Sequence, residues 1–438
     1  MTKNILSWGR HPNQPQVGSE LGWRGEAGEV FSQAAAEFGS TLPFGNGRSY
    51  GDSCLAVSGC VVETRRMNRV IEFDRARGTF CAESGITLEE ILHIVVPAGW
   101  FLAVTPGTQH ATLGGAIAND VHGKNHHKQG TFGGHVKEFG LLRSDDGYSA
   151  CAPDTNPNMF KATIGGLGLT GLILWARIQL IPIASAQINT QTIRFESLLE
   201  FFELSERLDD QHEYSVAWID CLAKGAQAGR GVYFFGDHAP YGELTTQSRR
   251  PIAMGVTPPV SLINKYSLAA FNGVYWRKHS AKPVMGRCEY EPFFYPLDRI
   301  SGWNRMYGPR GFQQYQCVIP EAEAYSAMTE ILKAISDFRQ GSFLAVLKRC
   351  GRAESPGLIS FPMPGISLAL DFPQTGELET KLFKVLDGIV RTARGRLYPA
   401  KDAHMKGDDF KIFYPNWQQL EIRRDPQLNS LFWKRVSQ

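Results

Sequence analysis

Three glycine-bearing segments in the first half of the chain contain residue types that can hold a phosphorylated cofactor. They are residues 45–52 (GNGRSYGD), 106–136 and 164–176. Glycine lets the backbone adopt positive φ, so successive N–H groups can converge on an anion such as a diphosphate. A tight turn that serves only the fold would explain one such loop equally well, so the interpretation depends on all three together.

The second segment adds cationic and imidazole side chains to its glycines. His122, Lys124, His126 and His127 supply hydrogen-bond donors and a positive charge. The H-x-x-x-H-H spacing also has the form of a metal site. Since no carboxylate or thiolate cluster accompanies it at a familiar spacing, cofactor binding is favoured and no metal is expected.

The third segment fails the test for a Rossmann nucleotide site. Its GGLG run resembles a dinucleotide fingerprint, but that fingerprint opens a helix after a strand. The residues that follow here alternate as in a half-buried strand: Leu172, Leu174, Ala176, Ile178 and Leu180. A dinucleotide would therefore be held in a different fold.

Short strands and a capped helix separate these segments. Strands are expected at 60–63, 70–73 and 79–81. Thr87 and Glu90 predict a capping box for a helix with one apolar face, and the Asp-Asp-Gly at 145–147 indicates a hairpin turn. A first domain is expected to close near Ile183.

The pattern after residue 183 predicts a second, α+β domain over 184–395, with an antiparallel sheet covered by helices. Its expected helices lie at 198–208, 321–338 and 378–390, and its strands at 214–221, 232–235, 313–319, 343–348 and 366–371. Residues 247–290 carry aromatic and basic side chains without a clear period, so a mobile loop is predicted there. That loop could rest on a lipid surface or pack its own aromatic residues.

Composition restricts the class of protein. A chain of 438 residues exceeds one ordinary core, so two domains are expected. A net charge of +3 gives no support for nucleic-acid binding. The eight cysteines form no C-x-x-C pair, which favours a reducing compartment, and no run has the length of a membrane span. A cytoplasmic location is expected, with peripheral membrane contact as a further expectation.

The three segments, in this order and spacing, resemble the FAD-linked oxidases of the vanillyl-alcohol oxidase superfamily. Further runs narrow the resemblance to the decaprenylphosphoryl-ribose oxidases: VHGKNHH, TFGGHV, YSVAWID, QQYQCVIP and YPAKD. The resemblance extends from SWGR at 7–10 almost to the C-terminus. It implies a two-domain α+β fold, in which residues 1–183 and a returning segment 396–438 bind FAD, and 184–395 bind the substrate.

The resemblance also implies roles for residues at matching positions. Those expected to bind the cofactor are Gly45, Asn46, Gly47, Arg48, Ser49, Tyr50, Gly51, Asp52, Gly107, Thr108, Thr112, Leu113, Gly114, Gly115, Asn119, His122, Gly123, Ile173 and Tyr398. Those expected to bind the substrate are Tyr50, Lys124, Gln314, Gln316, Lys348, Ser367 and Ala369. Gln314 and Gln316 alternate on a strand and so face one side, where their amides could bind sugar hydroxyls, while Lys348 could meet a phosphate.

Lys401 and His122 are the candidates for catalysis. Hydride transfer to a flavin leaves negative charge on the ring, which a fixed cation such as Lys401 would stabilise. The hydroxyl proton also needs an acceptor, either His122 or a Lys401 whose pKa is depressed by burial. The sequence leaves that choice open, and without its YPAKD context Lys401 would be read as a solvated lysine.

Two departures from the resembled families affect the expectations. Arg48 stands where relatives with covalent FAD often carry histidine, so noncovalent FAD is expected. Ser367 and Ala369 stand where the resembled group has asparagine and cysteine, so the substrate can differ even if the chemistry is the same.

The expected function is FAD-dependent oxidation of a secondary sugar hydroxyl to a ketone, on a prenyl-phosphate-linked pentose, as the first half of an epimerisation. A short-chain NAD(P)H reductase would complete the inversion. The alternatives are a free alditol or aldonolactone oxidase that uses oxygen, and a flavin-binding subunit without catalytic activity.

Overall fold

The computed structural model describes residues 2–245, 251–338, 340–342 and 344–438. Its strands are β1 (Thr2–Ile5), β2 (Gln16–Glu20), β3 (Pro43–Phe44), β4 (Cys60–Glu63), β5 (Val70–Asp74), β6 (Thr79–Glu83), β7 (Trp100–Leu102), β8 (Val136–Arg143), β9 (Gly147–Cys151), β10 (Leu172–Pro182), β11 (Gln187–Phe195), β12 (Tyr214–Ile219), β13 (Gly231–His238), β14 (Ile252–Ala253), β15 (Val284–Glu289), β16 (Ile300–Ser301), β17 (Phe312–Pro320), β18 (Ala345–Cys350), β19 (Gly365–Pro373) and β20 (Arg396–Leu397).

The α-helices follow the same chain order. They are α1 (Ala27–Phe38), α2 (Leu88–Val95), α3 (Leu113–Ala118), α4 (His126–Gln129), α5 (Pro157–Thr163), α6 (Leu198–Leu208), α7 (Lys265–Lys278), α8 (Tyr290–Phe294), α9 (Glu321–Asp337), α10 (Lys384–Thr392), α11 (Gly407–Phe413), α12 (Trp417–Arg423) and α13 (Leu431–Ser437). A π-helical turn, Leu378–Phe383, precedes α10.

Two sheets form from the strands that precede residue 183. One has the order β1-β2-β4-β3, and the other has the order β5-β6-β10-β8-β9 with β7 also paired to β10. The capping box expected at Thr87 and Glu90 is present and starts α2. The hairpin expected at 145–147 is also present, because Arg143 of β8 pairs with Gly147 of β9. Helix α1 ends at Phe38 and is followed by Gly39, whose φ of 80° is left-handed.

Eight of the later strands form one antiparallel sheet, in the order β15-β11-β13-β12-β18-β19-β17-β20, while β14 and β16 pair in parallel with each other. Helices α6, α9 and α10 cover one face, and their apolar side chains share a single core with the sheet. The α+β class predicted from the sequence is confirmed. The predicted strand at 343–348 is observed as β18, although residue 343 lies outside the described residues.

The C-terminal segment runs back to the N-terminal part of the chain. The N–H of Tyr50 donates to the carbonyl of Ala400 at 3.1 Å, and that of Thr41 donates to Gln427 at 2.9 Å. Strand β20 meanwhile pairs with β17 of the large sheet. The tail therefore bridges the two regions, and it brings residues 398–402 against the loop at 45–52.

The prediction of an irregular loop over 247–290 is wrong for residues 265–278 and 284–289, which form α7 and β15. Residues 247–250 lie outside the described residues, but α7 and β15 follow. Asn264 caps α7, and β15 pairs with β11 at the edge of the large sheet. Helix α7 buries only a narrow stripe of side chains, which includes Leu268 and Trp276, while the apolar Val274 is exposed. Its apolar residues therefore do not recur with the helical period that would have predicted it.

Membrane insertion through a helix is not indicated by the described residues. Within those ranges, no helix combines the length and the apolar composition that crossing a bilayer would require.

A buried charge network fastens the tail. Arg435 Nη2 lies 2.8 Å from Asp52 Oδ1 and 2.9 Å from Asp402 Oδ2. His404 lies between two carboxylates, 3.1 Å from Asp402 and 3.2 Å from Asp387. Burial alone would lower the pKa of His404, but the charges and hydrogen bonds of Asp402 and Asp387 raise it to about 10. His404 is therefore a buried cation that links α10 to the tail.

We expect His404→Gln to lower the free energy of unfolding by about 3 kcal/mol at pH 7, because Asp387 loses its cation and Asp402 keeps only Arg435. A raised pKa adds stability that is complete below the ordinary value of 6.5 and is lost as pH rises through about 10. Urea denaturation at pH 6 and pH 9.5 measures both effects. His93→Gln, at an exposed position, is the matched control. Equal pH dependence in the wild type and His404→Gln would contradict the assignment.

Candidate active site

A cavity of about 350 Å³ lies where the loops of the N-terminal part meet the eight-stranded sheet. Its volume falls within the range typical of ligand-binding clefts, about 300–1,000 Å³. The loops at 43–50 and 105–108, helix α3 and residues 121–124 line one side. Side chains of β17, β18 and β19 line the other, and Tyr398, Ala400 and Lys401 of the returning tail complete the wall.

The sheet side of the cavity consists of alternate residues on three neighbouring strands. Gln314 and Gln316 of β17 and Ser367 and Ala369 of β19 point to the cavity, together with Lys348 of β18. In the register, Gln316 lies opposite Ala369, and Lys348 lies opposite Ser367. Because side chains alternate between the two faces of a strand, this face is polar while the opposite face packs on the helices.

The glycine loop approaches α3 too closely for a side chain. A Cβ on Gly45 would lie 2.3 Å from Thr112 Oγ1, so this position requires glycine. Thr112 caps α3 by accepting a hydrogen bond from Gly115 N. The backbone N–H groups of residues 46–49 have no acceptor in the part of the chain that the structure describes. They are therefore available to an anionic ligand.

Several buried polar atoms around the cavity have no partner in the described protein. They include Arg48 Nε, Ser53 Oγ, Ser84 Oγ and His122 Nδ1. Buried polar groups without a partner cost folding free energy, so their concentration here points to a polar ligand. Free N–H groups at 46–49, hydroxyls and a guanidinium fit the diphosphate and ribityl hydroxyls of FAD.

Asp298 fastens one wall of the cavity from across the fold. Its carboxylate accepts hydrogen bonds from Thr108 Oγ1 at 2.9 Å and from Gln109 N at 2.8 Å. The loop at 106–110 is thus held by a residue that is far away in sequence. Across the cavity, the Arg48 guanidinium lies 4.1 Å from the ring centre of Trp8.

His122 lies half-buried beside the sheet. Its Nε2 lies 3.1 Å from Gln316 Nε2, and its Nδ1 has no partner among the described residues. Burial and the positive charges of Lys348, His126 and Lys401 hold the pKa of His122 well below its usual value. A neutral imidazole at this point can position Gln316.

Lys401 sits at the point where the tail meets the glycine loop. Its Nζ lies 3.5 Å from the centre of the Tyr50 ring, and its backbone N–H donates to Tyr398 at 3.0 Å. Burial lowers the pKa of Lys401 to about 7, although the carboxylate of Asp371 opposes the effect. The amine can therefore gain or lose a proton near neutral pH.

Two further lysines enter the cavity. Lys348 Nζ donates to the Gly123 carbonyl at 2.8 Å, and burial lowers its pKa. Burial and the charge of Lys348 lower the pKa of Lys124 to about 8. Within the described ranges, Lys124, Lys348 and Lys401 have no carboxylate partner in an ion pair. The cavity is thus electropositive and suits a phosphorylated ligand.

Tyr398 closes the cavity beneath α3. Its hydroxyl donates to the Asn119 carbonyl at 3.0 Å, and its ring stacks on Phe361 with centroids 4.5 Å apart. The aromatic face beside His122 provides a flat apolar surface.

The other histidines of the VHGKNHH run have structural partners. His126 Nδ1 accepts from Gly351 N at 3.1 Å, and His127 Nε2 lies 3.0 Å from the His212 carbonyl. No set of three or more metal-binding side chains is assembled within the described residues.

The structure brings most of the predicted site residues to this one cavity. Those that line it are Gly45, Asn46, Gly47, Arg48, Ser49, Tyr50, Gly107, Thr108, Thr112, Gly114, Gly115, Asn119, His122, Gly123, Lys124, Ile173, Gln314, Gln316, Lys348, Ser367, Ala369, Tyr398 and Lys401.

Three predicted cofactor residues lie outside the cavity lining. Gly51 packs against the Asp402 backbone, where a Cβ would lie 1.7 Å from its carbonyl oxygen. Asp52 pairs with Arg435. Leu113 is completely buried in the apolar core. These residues stabilise the glycine loop and helix α3 without lining the cavity.

Asp298 and Asp371 are polar residues near the cavity that the sequence analysis missed. Asp371 could have been found, since it continues the alternation of Ser367 and Ala369 on the cavity face of β19. Asp298 has no comparable signal, because its partners at Thr108 and Gln109 are about 190 residues away in sequence.

Comparison with known proteins gives a consistent family. A model of the FAD binding domain matches residues 26–148. The decaprenylphosphoryl-β-D-ribose oxidase of Mycolicibacterium smegmatis is 33% identical over 98% of this chain and 96% of its own. An uncharacterised Streptomyces coelicolor protein is 31% identical over 78% of this chain and 96% of its own. Mouse L-gulonolactone oxidase is 26% identical over 42% of this chain and 40% of its own.

The mycolicibacterial enzyme matches this chain over nearly its whole length. The cavity also presents free hydrogen-bond donors that fit FAD. Both findings agree with the resemblance that the sequence motifs carry. The chain therefore belongs to the decaprenylphosphoryl-β-D-ribose oxidase family of FAD-dependent oxidoreductases, which act on CH–OH groups.

Proposed function

We propose that this enzyme oxidises a secondary hydroxyl of a pentose on a prenyl-phosphate carrier to a ketone, as the first half of an epimerisation. The observation that carries the proposal is the electropositive cavity, in which Lys124, Lys348 and Lys401 have no carboxylate ion partner among the described residues. Such cations suit a phosphorylated substrate. The mycolicibacterial relative is named for a substrate of this class.

Noncovalent FAD would supply the acceptor for the hydride that leaves the substrate carbon. Residues 45–50, 107–108 and 114–115 would hold its diphosphate and ribityl region through free N–H groups and hydroxyls. Asn119, Ile173 and Tyr398 would line the remainder. Arg48 cannot form the histidyl bond that covalent relatives use.

The domain division follows from this assignment. Residues 1–183 with 396–438 would form the FAD domain, and 184–395 the substrate domain. The hydrogen bonds from Tyr50 and Thr41 to the tail support that grouping. The pairing of β20 with β17 would connect the FAD domain directly to the sheet of the substrate domain.

Gln314, Gln316 and Ser367 would bind the sugar hydroxyls, because they present amides and a hydroxyl from one face of the sheet. Lys348 and Lys124 would meet the phosphate. Ser367 and Ala369 are smaller than the asparagine and cysteine of the resembled group, which leaves space for a differently substituted sugar.

Lys401 is the favoured acceptor of the hydroxyl proton. Its pKa near 7 leaves much of the amine neutral at physiological pH. His122 is less suited, since its Nε2 is engaged with Gln316 and its pKa, held well below the usual value, makes it a weak base. After accepting the proton, the Lys401 ammonium would stabilise negative charge on the reduced cofactor.

Two partners complete the proposal. A short-chain NAD(P)H-dependent reductase would convert the ketone to the inverted alcohol. A lipid surface would contact the exposed apolar side chains of residues 251–290, among them Ile252, Val256, Val274 and Met285.

Oxidation of a free alditol or aldonolactone with oxygen is the second candidate. The partial similarity to L-gulonolactone oxidase favours it.

Anaerobic mixing of the purified protein with candidate substrates distinguishes the two functions. The substrates are decaprenylphosphoryl-β-D-ribose, other prenyl-phosphoryl sugars, free pentoses, alditols and aldonolactones. We expect flavin bleaching with a prenyl-phosphoryl sugar. Bleaching with free sugars alone would support the second candidate, and bleaching with none would favour the inactive subunit.

We expect Lys401→Ala to retain FAD and its colour but to lower the rate constant of anaerobic bleaching by about 100-fold, because the proton acceptor is lost. In the wild type this rate should rise with pH through about 7, as the amine loses its proton. Lys401→Arg keeps the charge but cannot release a proton, so it should be equally slow. A normal rate in the alanine variant would remove Lys401 from the mechanism.

We expect Asp298→Ala to weaken FAD binding by about tenfold, because the loop at 106–110 loses two charge-assisted hydrogen bonds. Titration of the apoprotein with FAD, followed by quenching of flavin fluorescence, measures the dissociation constant. Asp154→Ala removes an exposed carboxylate and serves as the control. Equal dissociation constants for both variants would show that Asp298 does not contribute to FAD binding.

A further inference from the structure

Asp371 extends the row of side chains that faces the cavity from β19. Ser367, Ala369 and Asp371 alternate on one face of the strand, and Asp371 lies opposite Gln314 of β17 in the register. Its side chain is completely buried. It lies just behind the cavity wall, next to a predicted substrate ligand.

The carboxylate of Asp371 is only partly satisfied. Oδ1 accepts a hydrogen bond from Gln314 Nε2 at 2.6 Å, but Oδ2 is buried without a partner in the described protein. Burial raises the pKa of this carboxyl to about 7, against the opposing effects of Gln314 and Lys401. A half-satisfied buried acid costs folding free energy, so stability does not explain its presence.

Asp371 determines which end of the Gln314 amide faces the cavity. The Gln314 NH₂ group donates to Asp371 Oδ1, and the carboxylate, which is ionised above a pH of about 7, holds it there because it can only accept hydrogen bonds. The carbonyl oxygen of Gln314 then points the other way, as an acceptor for a substrate hydroxyl. A freely rotating amide would present either group.

Asp371 also acts on Lys401, since its negative charge favours the ammonium form. The titratable groups whose charges interact with Asp371 are Lys401, Tyr50 and Tyr307. Burial raises the pKa of both tyrosines well above the usual value, so they stay neutral and Lys401 is the cation of the group.

We propose that Asp371 is a positioning residue that orients Gln314 toward the substrate hydroxyl and stabilises the Lys401 ammonium formed during oxidation. This inference rests on the proposed function. In the reaction, the hydroxyl O–H bond breaks as an N–H bond forms on Lys401, and the C–H bond breaks as its electron pair passes with hydrogen to FAD. In its ionised form, Asp371 compensates the new positive charge on Lys401.

Asp371→Asn tests the proposal because an amide has the same shape but can donate as well as accept. The variant should fold, bind FAD and melt at the wild-type temperature or above it, since an unfavourable buried charge is gone. With decaprenylphosphoryl-β-D-ribose as the reductant, the bleaching rate should fall by about tenfold or more. Its rise with pH should move to lower pH.

A second readout does not depend on turnover. In protein labelled with ¹³C-lysine, the Lys401 side-chain resonance is assigned by its loss in Lys401→Arg and is then titrated with pH. We expect its midpoint to fall by about one unit in Asp371→Asn. An unchanged midpoint, or a variant that fails to fold, would overturn the proposal.

Asp209→Asn is the matched control. Asp209 is also a completely buried aspartate, but both of its oxygens accept hydrogen bonds, from Ser205 and Tyr233. This variant should lose stability while the Lys401 midpoint stays unchanged. If the prenyl-phosphoryl sugar fails to bleach the wild type, the proposed substrate is wrong, and the Lys401 midpoint still decides the role of Asp371.

Discussion

Burial of positive charge is the constraint on which the structure depends. Lys124, Lys348 and Lys401 share one cavity without carboxylate ion partners in the described residues, and burial lowers the pKa of each. Such an arrangement opposes folding unless an anionic ligand compensates it, so binding of a phosphorylated ligand would also stabilise the fold. The charge network of Arg435 and His404 offsets part of this cost, since it fastens the tail that carries Lys401.

The scaffold explains why the chemistry lies at this point. The β17, β18 and β19 strands present alternate polar residues on one face, while the opposite face packs against helices in a shared core. The N-terminal loops lie across that polar face, and Asp298 and the returning tail hold them there. In the proposed function, a rigid sheet would bind the substrate and closely packed glycine loops would hold the cofactor, with Lys401 between them.

Local signals made much of the fold predictable. The capping box at Thr87, helix α6 and the alternation along β10 appear in the structure as the sequence indicates. Helix α7 was missed because its buried stripe is narrow. The resemblance located the cavity residues, and strand alternation placed Gln314 and Gln316 on one face. The bond from Asp298 to the loop at 106–110 was unpredictable, since only the folded chain brings these residues together.

The central claim is that the cavity holds FAD without a covalent bond, and the absorption spectrum of the purified protein tests it most directly. The account predicts a yellow protein with one FAD per chain, whose flavin passes entirely into the supernatant when the protein is precipitated with acid. A colourless protein that does not take up added FAD would contradict the account.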